Sequence, residues 1–272
     1  MTHRPADGHS VEAQTGTEVL ARVDGWPINI PDLETALRLI IARTRERTGF
    51  SVFTLNLDHL VKLRSTPAFA DAYRTADIVT ADGAPVAWLS RLQTTEIERT
   101  TGADMFVPLA RAAAEEGLPV YLFGSTMAVL TKSAEALRAE TNGAIAIAGL
   151  SSPSASFDPM GREADAAIEH IKASGARLCF VALGAPKQEI FAARAVARGC
   201  TCGLVCVGAA VDFIAGSQVR APKLFQQIGM EWAWRLASNP RRLAKRYADC
   251  ARVLFDVAVI APVRQQFAGR EI

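Results

Sequence analysis

Two hydrophobic rhythms alternate along the chain. Short runs rich in branched or aromatic side chains fall at Ser51 to Leu55, Ile78 to Thr80, Pro119 to Phe123, Ala144 to Ala148, Arg177 to Leu183 and Gly203 to Val207. Runs of that length predict strands. Between them lie Ala-rich segments of helical spacing, among them Ala84 to Leu92, Met105 to Glu116, Met127 to Glu140, Arg162 to Ala173 and Gln188 to Ala197. Upstream, Glu18 to Gly25 and Trp26 to Ile30 predict two short strands around a turn. Leu33, Leu37, Ile40 and Ile41 predict a helix over Pro31 to Arg47. Residues 1–17 are polar and aperiodic, which predicts a disordered tail.

Apolar strands alternating with helices imply right-handed crossovers and a mostly parallel sheet covered on both faces. The expected fold is therefore α/β and Rossmann-like, with helices on both faces, over residues 18–216. After Asp212 the strand rhythm stops. Residues 221–263 read as helices broken at Gly229 and at Asn239-Pro240. The last of them sets an apolar stripe (Leu243, Tyr247, Cys250, Leu254, Val257, Ala261) against Arg242, Lys245, Asp249, Arg252 and Asp256. Residues 217–272 thus form an expected C-terminal helical appendage.

Composition excludes several classes. Half of the 272 residues are hydrophobic and 21% are charged, ample for a sizeable core and unlike a disordered or fibrous chain. No charge-free run reaches the roughly 20 residues that a spanning helix needs. Residues 1–17 lack the apolar block of a secretory signal, so a cytoplasmic protein is expected. The five cysteines are odd in number and lie mostly in apolar runs without a CxxC pair, which reads as core packing rather than a disulfide framework or metal site.

Charge is unevenly distributed. Residues 217–272 hold ten Lys and Arg against four Asp and Glu, a net of +6, leaving twenty against twenty-four, or −4, for the rest. Such a basic end suits nucleic acid, an anionic lipid surface or a phosphorylated substrate, and charge alone does not choose among them.

Ligands of parallel sheets bind beyond the carboxyl ends of the strands. The loops there hold the candidate chemistry. Asp82 follows a short strand and precedes Gly83, which permits close approach; it suits a general base and equally a helix N-cap. Thr54 and Asn56 end the preceding strand, where they serve either as partners of the same site or as ordinary capping residues. In Gly184-Ala-Pro-Lys-Gln-Glu189 a strand-end Gly, a Pro near the helix start and polar first-turn residues suit phosphate or sugar hydroxyls; Lys187 adds a charge-assisted contact. Arg220, Arg235, Arg241, Arg242 and Arg246 are suited to a leaving diphosphate, against the alternative of a solvated helix face. No Asp-x-Asp occurs, and Glu96-Ile-Glu98, a paired-acid substitute, reads as surface. Neither the Gly-x-Gly-x-x-Gly nor the P-loop fingerprint is present. His59 and His170 lack partners at metal spacing. No metal or cofactor is called for.

The pieces in order are Thr54-x-Asn56, Asp82-Gly83, Thr101-Gly-x-Asp104, Gly184-x-Pro-Lys-Gln-Glu189, Val207-Gly-x-x-x-Asp212-Phe, Ala215-Gly216, Arg220-Ala-Pro222, Gly229-x-Glu-Trp232, Trp234-Arg-Leu236 and Pro240-Arg-Arg-Leu-x-Lys-Arg-Tyr247. This series resembles the WecG/TagA/CpsF glycosyltransferases of bacterial surface-polysaccharide synthesis, from about Val19 to Tyr247. The resemblance implies a metal-independent, inverting transferase that moves a sugar from a UDP-sugar to a polyprenyl-diphosphate-linked saccharide. It implies Asp82 as general base, Thr54 as its neighbour, Gln188 as a ligand contact, and the appendage arginines as diphosphate contacts. Asn56, Gly83, Asp104, Gly184, Lys187, Glu189, Asp212 and Arg220 fall in matching motifs and are expected at the substrate. The appendage itself is implied to dock on an anionic membrane at its inner face. The resemblance calls for no nucleic acid and is compatible with a homo-oligomer. It departs from the family at Gly149 to Phe157, which keeps little of a His-Gly-Tyr-Phe-like stretch, and at Val211, where Phe is usual. Both lie near the expected pocket, and N-acetylmannosamine, its uronic acid and glucose all remain open as donor sugars. A non-catalytic UDP-sugar or lipid-diphosphate binding protein of the same fold is the alternative.

Overall fold

The computed structural model describes residues 18–94 and 96–260, apart from the side chains at 227, 235 and 242. The expected tail over 1–17 and the end of the appendage lie outside the described residues. The chain opens with a hairpin, β1 (Ala21–Val23) and β2 (Trp26–Ile28). Both turn residues between them, Asp24 and Gly25, have positive φ, the geometry that matches strand twist in a two-residue hairpin. Helix α1 (Leu33–Arg45) starts later than expected because Asp32 caps it, its carboxylate accepting from Thr35 N–H at 2.7 Å.

The body is a six-stranded, all-parallel sheet of order β4-β3-β8-β7-β5-β6. Its strands are β3 (Phe50–Leu55), β4 (Ile78–Ala81), β5 (Val120–Gly124), β6 (Ile147–Ser151), β7 (Leu178–Ala182) and β8 (Gly203–Cys206). Helices α2 (Leu57–Leu63), α3 (Pro67–Arg74), α4 (Ala84–Arg91), α7 (Arg162–Ala173) and α8 (Lys187–Ala197) cover one face. The other face is covered by α1, α5 (Gly102–Glu115), α6 (Met127–Glu140) and α9 (Ala210–Ile214). The period of two divides the strands cleanly: Phe53 and Leu55 face the first layer, Phe50 and Val52 the second. Every residue of β3, β4, β5, β7 and β8 is buried, which is why these strands read as unbroken apolar runs.

Several expectations need correction. β6 begins three residues later than the predicted Ala144 to Ala148, and all five of its residues are half-buried. As an edge strand it carries a weaker apolar signal, and residues 142–143, both at positive φ, form the turn that precedes it. Helices α2 and α3 are too short for periodicity to reveal, and α9 occupies what reads as a loop through Asp212.

Beyond α9 come α10 (Lys223–Gln227), α11 (Glu231–Ser238) and α12 (Pro240–Phe255), with a π-helical turn at Asp256–Ile260. The breaks fall as predicted. The apolar stripe of α12 is not free, however: Cys250 and Val253 are buried, and Leu254 and Val257 pack on the same core as α2. All five cysteines are buried and unpaired by disulfides. Among the described residues no helix is long and apolar enough to cross a membrane.

Candidate active site

One cavity of about 670 Å³ opens beyond the carboxyl ends of β4, β3, β8 and β7 and is roofed by α10–α12. That volume suits a drug-sized ligand. Parallel pairing of Thr54 with Thr80 and of Leu55 with Ala81 brings two strand ends side by side, and the Asp82 N–H continues the ladder to Leu55 O at 2.8 Å. Asp82 Oδ2 then accepts from Thr54 Oγ1 at 3.3 Å and Asn56 Nδ2 at 3.2 Å. Asn56 is itself fixed, because its Oδ1 caps α2 by accepting from His59 N–H at 3.0 Å. The N-cap of α4 is Gly83, at φ +87, a conformation that favours glycine. The capping explanation for Asp82 therefore fails on position.

The β7–α8 loop divides its polar residues. Gly184 and Gln188 line the cavity. Gln188 Oε1 accepts from Gly208 N–H at 3.2 Å, and its Nε2 donates to Glu189 Oε1 at 2.8 Å. Contrary to expectation, Lys187 turns away and donates to Phe157 O at 2.8 Å. Glu189, fully buried, sits behind Gln188 rather than in the cavity wall. Asp212 also lies off the wall, on α9, where it accepts from Ser217 Oγ at 3.2 Å. The helical turn at the start of α8 sets these directions, since successive residues point about 100° apart around it.

The appendage reaches the cavity through ion pairs. Arg220 donates to Asp104 Oδ1 at 2.6 Å and lies 3.3 Å from Glu231, while Arg99 lies 3.3 Å from Asp104. Asp104 also completes a capping box with Thr101 at the start of α5; it is a support behind Arg220, not a wall residue. Burial alone pushes its carboxyl up, yet the Arg220 hydrogen bond and the Arg99 charge outweigh that and hold it below its ordinary value. Such a group contributes stability that is present above the unfolded carboxylate range and lost as pH falls through the lowered folded value. Asp104→Asn is accordingly expected to cost about 1.5–3 kcal/mol at neutral pH, the range for hydrogen bonds to charged groups. In urea unfolding the deficit should shrink below about pH 4. A constant deficit across that range would contradict the pairing.

Arg246 pairs with Asp58 at 2.8 Å, and Asp58 also holds Lys62 at 2.6 Å. Arg241 is exposed on α12 and outside the wall. Arg235 lies on α11 and Arg242 on α12, with side chains outside the described residues. Glu96 and Glu98 are exposed, as expected.

Sequence reasoning missed Asp58, His59, Lys62, Arg99 and Glu231, all of which line the cavity. The i,i+4 spacing of Asp58 and Lys62 is an available signal, and Glu231 stands in the Gly229-x-Glu-Trp232 piece; Arg99 carries none. His59, which has no partner at metal spacing in the sequence, has Tyr73 Oη 2.7 Å from Nδ1 and Glu189 Oε1 3.8 Å from Nε2. Burial pushes the imidazole down to about 3, with Asp58 opposing. Burial pushes the Glu189 carboxyl up to about 7 against the Gln188 hydrogen bond.

A carboxylate held by two neutral donors, facing a cavity rich in guanidinium groups, suits deprotonation of a hydroxyl beside an anionic leaving group. The model of the Glycosyl transferase WecG/TagA/CpsF family matches residues 21–267. With that match spanning most of the chain, and the motif residues Thr54, Asn56, Asp82 and Gln188 gathered around one cavity, the protein belongs to the WecG/TagA/CpsF family of glycosyltransferases.

Proposed function

We propose that the protein is an inverting transferase that moves a sugar from a UDP-sugar to a polyprenyl-diphosphate-linked saccharide in bacterial surface or exopolysaccharide synthesis. The observation that carries this reading is Asp82, held by Thr54 and Asn56 in the same cavity as Arg99, Arg220 and Arg246. In the reaction an acceptor hydroxyl oxygen attacks the anomeric carbon on the face opposite UDP. The carbon–oxygen bond to the diphosphate breaks, its electron pair stays on the phosphate oxygen, and the hydroxyl proton passes to Asp82. Thr54 and Asn56 keep the carboxylate aimed. Gln188 contacts the donor. The arginines meet the charge that develops on the departing diphosphate, each as a charge-assisted donor.

On this reading no metal is required. Among the described residues no three His, Cys, Asp or Glu side chains are grouped as ligands, and four cations, Lys62, Arg99, Arg220 and Arg246, line the cavity. The protein acts at the inner face of the membrane without spanning it. Because the α12 stripe is occupied by the core, docking falls to exposed Leu224, Ile228 and Trp232 together with Lys223, Arg241 and Lys245. Basic side chains near an anionic surface contribute roughly 1 kcal/mol each.

The test is transfer from radiolabelled UDP-N-acetylmannosamine, its uronic acid and UDP-glucose to a prenyl-diphosphate disaccharide carried in vesicles. One donor should be consumed, turnover should persist in EDTA, and anionic vesicles should support it better than zwitterionic ones. Turnover abolished by EDTA and restored by Mg²⁺ would overturn metal independence, and equal rates on both vesicles would overturn the docking.

A further inference from the structure

Gln188 is held at both ends of its amide. The Gly208 N–H is only a donor, so the atom beside it is the carbonyl oxygen; a carboxylate is only an acceptor when ionised, so the atom beside Glu189 is the NH₂ group. These two bonds leave one N–H and one lone pair on a side chain that lines the cavity. A side chain offering one donor and one acceptor matches a sugar hydroxyl or an acetamido group.

Behind Glu189 the chain of contacts continues. His59 Nε2 lies 3.8 Å from Glu189 Oε1, and His59 Nδ1 meets Tyr73 Oη at 2.7 Å. The tautomer that accepts from Tyr73 at Nδ1 carries its proton on Nε2, the atom facing Glu189. All three side chains are buried, and Glu189 Oε2 has no hydrogen-bond partner among the described residues. We propose that Glu189, steadied by His59 and Tyr73, is a positioning residue that locks the Gln188 amide in its donor-reading orientation. This rests on the proposed function only for the identity of the ligand that Gln188 reads.

The lock depends on ionised Glu189, which takes a charge-assisted hydrogen bond from Gln188 Nε2 and has the His59 Nε2 edge 3.8 Å away. The groups facing it are Asp58, His59 and Lys62 of α2, Tyr73 of α3 and Cys206 of β8. His59 is neutral above about 3, and burial holds the Tyr73 hydroxyl and Cys206 thiol well above their ordinary values. With the Glu189 carboxyl raised to about 7, the lock forms as pH rises through neutrality.

The experiment has two readings on the full chain. First, the side-chain amide resonances of Gln188, assigned by their loss in Gln188→Glu, should titrate near pH 7 without ligand. They should not titrate in Glu189→Gln, and in Tyr73→Phe, which keeps the ring packing, the midpoint should move up. Second, calorimetry with UDP-N-acetylmannosamine should show affinity about tenfold weaker at about pH 6 than at about pH 8, because only the ionised fraction is competent. That dependence should be absent in Glu189→Gln. The sugar diphosphate is esterified at both ends and does not itself titrate there, unlike a terminal phosphate. Gln188 resonances that ignore pH, or a Tyr73→Phe midpoint equal to wild type, would overturn the positioning role even if Glu189→Gln failed to fold. Titrating resonances without donor binding would support it and overturn the donor assignment instead.

Discussion

Asp82→Asn is expected to lower the rate of sugar transfer by about 10²- to 10⁴-fold, the usual loss on removing a positioned general base. The substitution keeps the volume of the side chain. It also keeps an oxygen able to accept from Thr54 Oγ1 and Asn56 Nδ2, and it leaves the α4 cap untouched because that cap is Gly83. Stability and donor affinity should therefore stay near wild type while kcat falls, which separates a lost proton acceptor from a lost fold. Single-turnover transfer, run beside thermal unfolding, measures both. Turnover within a factor of two or three of wild type would exclude Asp82 as the base and point to another acceptor of the proton.

Phe191→Ala is expected to cost about 3–5 kcal/mol of stability, the range for emptying an aromatic site in a packed core. Phe191 is fully buried on α8, with ring centroids 4.4 Å from Phe123 and 6.0 Å from Phe157. The backbone on either side is held by helix and sheet, so the cavity collapses little. Against a total of about 5–15 kcal/mol for a globular domain, the variant should show a large fall in its urea midpoint at unchanged slope. Phe191 lies three residues from Gln188 and two from Glu189 on the same helix, so residual transfer should fall further than the unfolded fraction accounts for. A loss below about 1 kcal/mol would mean that α8 is not anchored through this ring cluster.

Some of this architecture follows from local pattern. Apolar runs at β3, β5, β7 and β8 are legible because both faces of a parallel sheet are dry, and the loops after them mark the ligand end by topology alone. The Thr54, Asn56 and Asp82 constellation is legible for the same reason: each residue ends a strand, and parallel neighbours bring like ends together. The edge strand β6 is displaced because an edge carries fewer apolar contacts. Pattern does not reach further. The strand order β4-β3-β8-β7-β5-β6 puts Gly208 beside Gln188 and Asp82 beside Thr54, and only that order decides which candidate loops share a cavity. The direction of each side chain in the first turn of α8 depends on which helix face the sheet occupies, so Lys187, Gln188 and Glu189 are indistinguishable by composition yet fall outside, at and behind the wall. Arg220 and Asp104 meet across 116 residues of chain, and α12 buries its stripe on α2 where its pattern equally suited a membrane. Periodicity reports which face of an element avoids water; the identity of what covers that face is a long-range contact, and only the tertiary structure decides it.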